Sequence, residues 1–170
     1  MIEFRDLTAD EIEVRVQSVK ENGLVLLLYK NARCDMNILD ETVGAENWER
    51  EHYECKGNLF CRVGINTNYK DEERPDRWVW KSDCGTESNT EAQKGEASDS
   101  FKRACFNWGI GRELYTSPFI WVTAEQCNIS NKKCFDRFYV EKIITKDKKI
   151  MAISIMNETK KVRCFVWQRS

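Results

Sequence analysis

Lys94-Gly-Glu-Ala-Ser-Asp-Ser-Phe-Lys-Arg-Ala-Cys-Phe-Asn-Trp-Gly-Ile-Gly-Arg112 is the stretch on which the reading of the fold turns. Ala97, Phe101, Ala104, Cys105 and Trp108 recur at the spacing that brings side chains to one face of an α-helix. Asp99, Lys102, Arg103 and Phe106 fall away from that face. Gly109 stands where a left-handed residue ends a helix. The pattern predicts a helix from about Thr90 to Trp108. Lys102 and Arg103 diverge by about 100° around its axis. They can therefore grip successive phosphates of one strand, Arg with a planar fork and Lys with a point charge. Taken alone, the commoner meaning of such a pair is a solvated face bonded to Glu96 or Asp99.

Working outward, Thr8-Ala-Asp-Glu11 has the form of a capping box and predicts a short helix to about Val19. Asn22-Gly23 marks a turn, and Leu24 to Lys30 a buried strand. A second short helix is expected from Asp35 to Val43, closed by Gly44. Three strands follow at Trp48–Cys55, Leu59–Asn66 and Arg77–Asp83, the first two joined by Lys56-Gly57-Asn58. The polar segment from Asn68 to Asp76 is a loop. Beyond Pro118, period-two patterns at Phe138–Thr145, Ile150–Met156 and Val162–Trp167 predict a three-strand meander. The fold class expected is α+β: a β-β-β-α core, its antiparallel sheet packed on the long helix, with a C-terminal three-strand β meander. Residues 1–125 form the core domain in this reading, and 126–170 the meander extension.

The chemistry-bearing residues exclude more than they propose. His52 is the only histidine, and the eight cysteines contain no Cys-x-x-Cys pair. Structural zinc sites usually use close ligand pairs. Thiols inside apolar strand and helix patterns pack as small hydrophobes, so buried free cysteines are expected and no metal or cofactor. A thiol or zinc enzyme is the outlying alternative, since only one histidine is available to activate a nucleophile. Gly109-Ile-Gly111 follows a helix, which disfavours a phosphate-binding loop. Arg112, just beyond, either neutralises the helix C-terminus or reaches phosphate. Trp78 and Trp80 alternate on one strand face, where they stack bases or, more commonly, fill the sheet core. No catalytic constellation is evident, so the protein is not expected to be an enzyme. The longest strongly apolar run, Leu24 to Tyr29, is too short to cross a membrane. The N-terminus has no apolar leader, and a cytoplasmic location is expected.

Net charge is −1, but it is unevenly spread. Residues 132–170 carry eleven Lys/Arg and four Asp/Glu, a net of +7, leaving −8 for residues 1–131. The basic tail is either a contact for an anionic partner or, more commonly, a set of solvated hairpins.

The motif Lys94-x-Glu96-Ala97-x-Asp99-x-x-Lys102-Arg103-Ala104 resembles the signature helix of the Rad52/Rad22 single-strand annealing family, with Gly95 inserted. Ala97-Ser-Asp-x-Phe-Lys-Arg-Ala and Trp108-Gly-Ile-Gly-Arg-x-Leu-Tyr115 resemble its phage-encoded recombinases more closely. Ile12-x-x-Arg15, the Tyr29–Gly44–Trp48 block and Gly85 follow the family pattern in order. The resemblance covers residues 8 to 118. It implies a protein that assembles as a homo-oligomeric ring or filament and carries single-stranded DNA in an outer groove, its backbone inward and bases outward. Lys102 and Arg103 correspond to the inner groove pair and Arg15 to a further groove arginine. Lys94 and Arg112 complete the candidate DNA-binding set. The implied role is annealing of complementary strands in recombination and double-strand break repair. The implied setting is a bacterial host's cytoplasm, with a phage exonuclease or host single-strand-binding protein as partner. A non-annealing module that protects single strands or binds protein is the alternative. Two departures stand out. Phe106 occupies the position of a further family arginine, and Glu87 to Gln93, between third strand and helix, holds no lysine.

Overall fold

A computed structural model describes residues 1–86 and 92–170. The chain divides into two compact units. One comprises Met1–Arg5 and Asn31–Gly111, the other Asp6–Lys30 and Arg112–Ser170.

The first unit contains helix α1 (Ala32–Val43), a three-stranded antiparallel sheet of β3 (Trp48–Cys55), β4 (Asn58–Asn66) and β5 (Trp78–Cys84), and helix α2 (Ala92–Trp108). Asn31 caps α1 by accepting the Cys34 N–H at 2.9 Å. The buried face of β4, with Cys61, Val63 and Ile65 all fully buried, lies against α2. Helix α2 buries Ser100, Phe101, Ala104 and Cys105 in return. Its end follows the Schellman pattern: Gly109 N–H donates to Phe106 O and Ile110 N–H to Cys105 O, with Gly109 at φ 101°. Gly85 ends β5 where a side chain cannot fit, because a Cβ there would lie 2.2 Å from the Glu96 carbonyl oxygen. The expected first turn at Thr90 and Glu91 lies outside the described residues.

The second unit is a six-stranded antiparallel sheet in the order β6-β2-β1-β7-β8-β9. Its members are β1 (Ile12–Lys20), β2 (Gly23–Lys30), β6 (Ile120–Thr123), β7 (Phe138–Lys146), β8 (Lys149–Asn157) and β9 (Val162–Gln168). The outermost strands β6 and β9 approach each other, so the sheet is nearly closed and barrel-like. Leu24, Leu26, Ile120, Val122, Ile150 and Ile155 fill its interior.

This architecture corrects the expected α+β class. Among the described residues strands dominate, the α-helices are two, of 12 and 17 residues, and the largest sheet is not packed on a long helix. The expected C-terminal meander is no appendage, since β7 joins β1 through the pairing of Glu13 with Tyr139. Residue 126 therefore falls inside the second unit. The expected helix from Thr8 to Val19 is a single 3-10 turn, Ala9–Glu11, followed by β1. Thr8 Oγ1 donates to the side chains of Asp10 and Glu11 instead of capping a helix. Ile12, Val14 and Val16 then alternate along an edge that β2 zips up through a two-residue turn. β-Branched residues with a hairpin partner favour the strand over the local cap.

Candidate nucleic-acid interface

The first unit positions α2 by its two ends and its middle. Near the N-terminal end, Glu96 Oε1 accepts the Leu59 N–H at 3.0 Å, and His52 Nε2 lies 3.0 Å from the Ala97 carbonyl oxygen. His52, the lone histidine of a charged stretch, is thus engaged with α2. In the middle, Phe101 stacks on Trp48 at 6.1 Å between centroids, and the Arg50 guanidinium lies 4.8 Å from the Phe101 ring centre. Trp48 is itself fixed by its Nε1–H, which donates to Asp40 at 2.7 Å. At the C-terminal end, Trp108 Nε1–H donates to Val63 O at 2.9 Å, and the Asn107 amide donates to Ser82 O at 2.9 Å.

With its apolar face held this firmly, α2 turns Lys102 and Arg103 outward, both half-buried. Arg103 Nε donates to Asp99 Oδ2 at 2.8 Å, one turn earlier. Asp99 also accepts from the Thr86 N–H at 2.9 Å and the Thr86 hydroxyl at 3.1 Å. Burial pushes the Asp99 carboxyl up. The hydrogen bonds from Arg103 and Thr86 and the Arg103 charge outweigh that and hold it below its ordinary value of 3.8. Asp99 is therefore an ionised, anchored support that fixes the direction of the guanidinium. Phe106, where a further cation was expected, is half-buried beside them. Lys94 is exposed in the described first turn of the helix.

The other two candidate residues belong to the second unit. Arg15 is exposed on β1, paired with Glu13 at 2.7 Å, and its guanidinium lies 4.8 Å from the Tyr29 ring centre. Arg112 is exposed and begins a 3-10 turn. Lys94, Lys102 and Arg103 share α2; Arg15 and Arg112 do not.

Trp78 and Trp80 lie on the face of the three-stranded sheet opposite α2, 6.3 Å apart between centroids. Arg62 sits over Trp80 at 4.7 Å. Tyr53 and Phe60 stack at 5.5 Å on the same face. These rings are not the α2-facing core, and Tyr53 and Trp80 each remain 36% exposed. Sequence reasoning also missed Lys81 on β5. Its ammonium donates to Asn107 O at 3.1 Å and lies 4.8 Å from the Trp108 ring centre. Strand alternation was the available signal, because it sets Lys81 opposite in facing to Trp80 and so toward α2.

All eight cysteines are free thiols, five of them buried. Burial pushes Cys61, Cys127 and Cys164 up to about 11 each, which keeps them protonated near neutral pH. Among the described residues no three His, Cys, Asp or Glu side chains are grouped as metal ligands, and no helix is long and apolar enough to cross a membrane.

A rigid helix that presents an oriented guanidinium beside an ammonium has the chemistry of a polyanion-backbone binder. The family comparison gives that chemistry a context. The model for the Rad52/22 family double-strand break repair protein matches residues 5–133, and the chain belongs to that family. Membership places it among the proteins of DNA recombination and repair, with strand annealing as the activity at family level. No curated protein matches the chain significantly.

Proposed function

We propose that this protein is a single-strand annealing protein. It binds single-stranded DNA along the phosphate backbone through Lys102 and Arg103 of α2, with Lys94, Arg15 and Arg112 as further contacts. It acts as a homo-oligomer, ring or filament, in homologous recombination and double-strand break repair, in the branch of phage-type recombinases. The observation that carries the reading is the fixed direction of Arg103, held by an Asp99 that Thr86 anchors, next to Lys102 on the solvent side of a helix whose other side is buried.

The physics of annealing fits such a site. Two complementary strands repel each other through their phosphates. Cations that neutralise the backbone lower that repulsion and leave base edges free to sample partners. Pairing then proceeds with no covalent bond made or broken, so the role requires neither a nucleophile nor a cofactor. A nuclease that generates single strands, or a host single-strand-binding protein, is the natural partner.

Mixing complementary oligonucleotides coated with the protein tests this against the protecting-module alternative. An annealing protein speeds pairing over that of free strands at the same salt. A protein that coats the strands and slows their pairing is a protector, and that result overturns the proposal.

A further inference from the structure

In the second unit, the outer face of β7, β8 and β9 departs from the apolar-in, polar-out alternation of a half-solvated antiparallel sheet. Ile153 and Ile155 of β8 are buried in the interior, as that pattern requires. On the outer face, however, Ile144 and Val166 are 61% and 69% exposed. Single exposed aliphatic residues need no explanation, but these two flank one strand. Ile144 pairs with Ala152, and Val166 with Ser154, the next outward residue of β8. The small side chains of β8 leave a groove of about 210 Å³ between them, with Lys142 and Gln168 also in its lining. Small-molecule sites are larger, roughly 300–1,000 Å³. The groove suits one apolar side chain projecting from a longer segment.

The charge around the groove is one-sided. Glu141 lies beside it, but Arg163 bonds both of its oxygens, each at 2.7 Å, and the Ser154 hydroxyl donates to it at 2.9 Å. The acid is thus neutralised and the hydroxyl of the groove floor is turned aside. Lys142 and, by alternation, Lys146 stand exposed on the same face of β7, and neither closes an ion pair among the described residues. Lys149, also exposed, pairs with Lys146 across the β7–β8 turn. An occupant therefore gains most if it sets carboxylates beside its apolar side chain.

Other occupants fit less well. Bases stack on aromatic rings, whereas Ile144, Val166 and Ala152 are aliphatic. Trp167 pairs with the buried Ile153 and so belongs to the opposite face, its ring centre 5.1 Å from the Arg169 guanidinium. A second copy packed through the same face would set Lys142 and Lys146 against like charges. The family match ends at residue 133, before β7, so family membership does not account for this face.

We infer that the groove along β8 docks an acidic peptide segment of a partner protein. One large aliphatic side chain sits on Ala152 between Ile144 and Val166, and carboxylates on either side of it reach Lys142 and Lys146. None of these residues belongs to the DNA-binding set, so the site stands or falls independently of the annealing reading. A partner held here leaves Lys102 and Arg103 of α2 unoccupied.

Photo-crosslinking of the full chain tests it, with the peptide acetyl-Asp-Glu-Asp-photoleucine-Asp-Glu-Asp-amide as probe. After irradiation and digestion, label is expected on peptides from β7, β8 or β9, and a counterpart with lysine in place of every acid labels them far less. Ala152→Leu fills the groove from an outward position. This variant, and separately Lys142→Glu with Lys146→Glu, each reduce the labelling roughly fivefold or more, with a cooperative thermal transition retained. Lys142→Gln with Lys146→Gln gives a smaller loss and covers any folding defect of the charge reversal. Label that falls outside these strands, that is equal for the lysine counterpart, or that survives Ala152→Leu overturns the site. So does a loss of oligodeoxythymidylate binding in Ala152→Leu, which would make the groove a nucleic-acid surface. A smaller particle for Ala152→Leu in sedimentation would assign the groove to a second copy and overturn it as well.

Discussion

The two units bury their apolar surface in different ways, and the difference bears on how each presents the proposed DNA-binding residues. The first unit spreads its core over two kinds of element. Helix α2 sinks Phe101, Ala104 and Cys105 into the sheet and is left with a solvent side whose directions are rigidly defined. The second unit curls one sheet until its edge strands approach each other, which protects edges that would otherwise recruit other strands. Several of its cations have acidic partners: Arg15 pairs with Glu13, Arg163 with Glu141 and Lys148 with Asp6, each at 2.7 Å. Net charge is thus a poor guide to a binding surface here. The basic tail contains paired cations, whereas the acidic first part of the chain holds α2 with its oriented Arg103.

The largest expected effect breaks the first unit selectively. Phe101→Ala removes a fully buried ring stacked on Trp48 and should cost about 3–5 kcal/mol in denaturant unfolding. Amide exchange should accelerate in β3, β4, β5 and α2 more than in β7, β8 and β9. Uniform acceleration over both units would erase the distinction between them.

Next in size is the loss of charge from α2. Lys102→Ala with Arg103→Ala should weaken single-stranded DNA binding by roughly tenfold or more near 0.1 M salt, and flatten the log–log salt slope by about 1.4, two phosphates at about 0.7 each. Stability should change by no more than about 1 kcal/mol, because the Arg103–Asp99 pair that is lost is screened by solvent.

Smaller effects follow from the acids. Asp99 has a folded-state pKa below its unfolded value. Its contribution to stability is therefore present above the ordinary carboxylate range and is lost as pH falls through the folded value. Asp99→Asn should cost at most about 1 kcal/mol at pH 7, because Arg103 is 43% exposed and solvent screens the pair. That difference should vanish in acid, and DNA affinity should also fall as Arg103 loses its support. In the second unit, the Arg163 and Ser154 hydrogen bonds hold Glu141 down at about 2. Glu141→Gln should give the smallest change in thermal midpoint at pH 7, a change that shrinks as pH falls from 4.5 toward 2, with DNA binding unaffected.

Helix α2 was legible because its apolar period and its stop at Gly109 are local, and its polar side already held Lys102, Arg103 and Asp99. The strands β3 to β5 and β7 to β9 were legible by alternation and turns. The closure of the second unit was not, because it depends on Glu13 meeting Tyr139 across more than half the chain. Nothing near either residue announces that pairing. The Thr8–Glu11 pattern misled for the converse reason: a local cap competed with a hairpin partner and lost.

The most direct test of the central claim is the rate at which complementary oligonucleotides pair in the presence of wild-type protein and of the Lys102→Ala, Arg103→Ala variant. Both are first shown to be folded by a cooperative thermal transition. The account predicts that wild type accelerates pairing and that the variant's rate falls to near that of free strands. A folded variant that anneals as fast as wild type would contradict it.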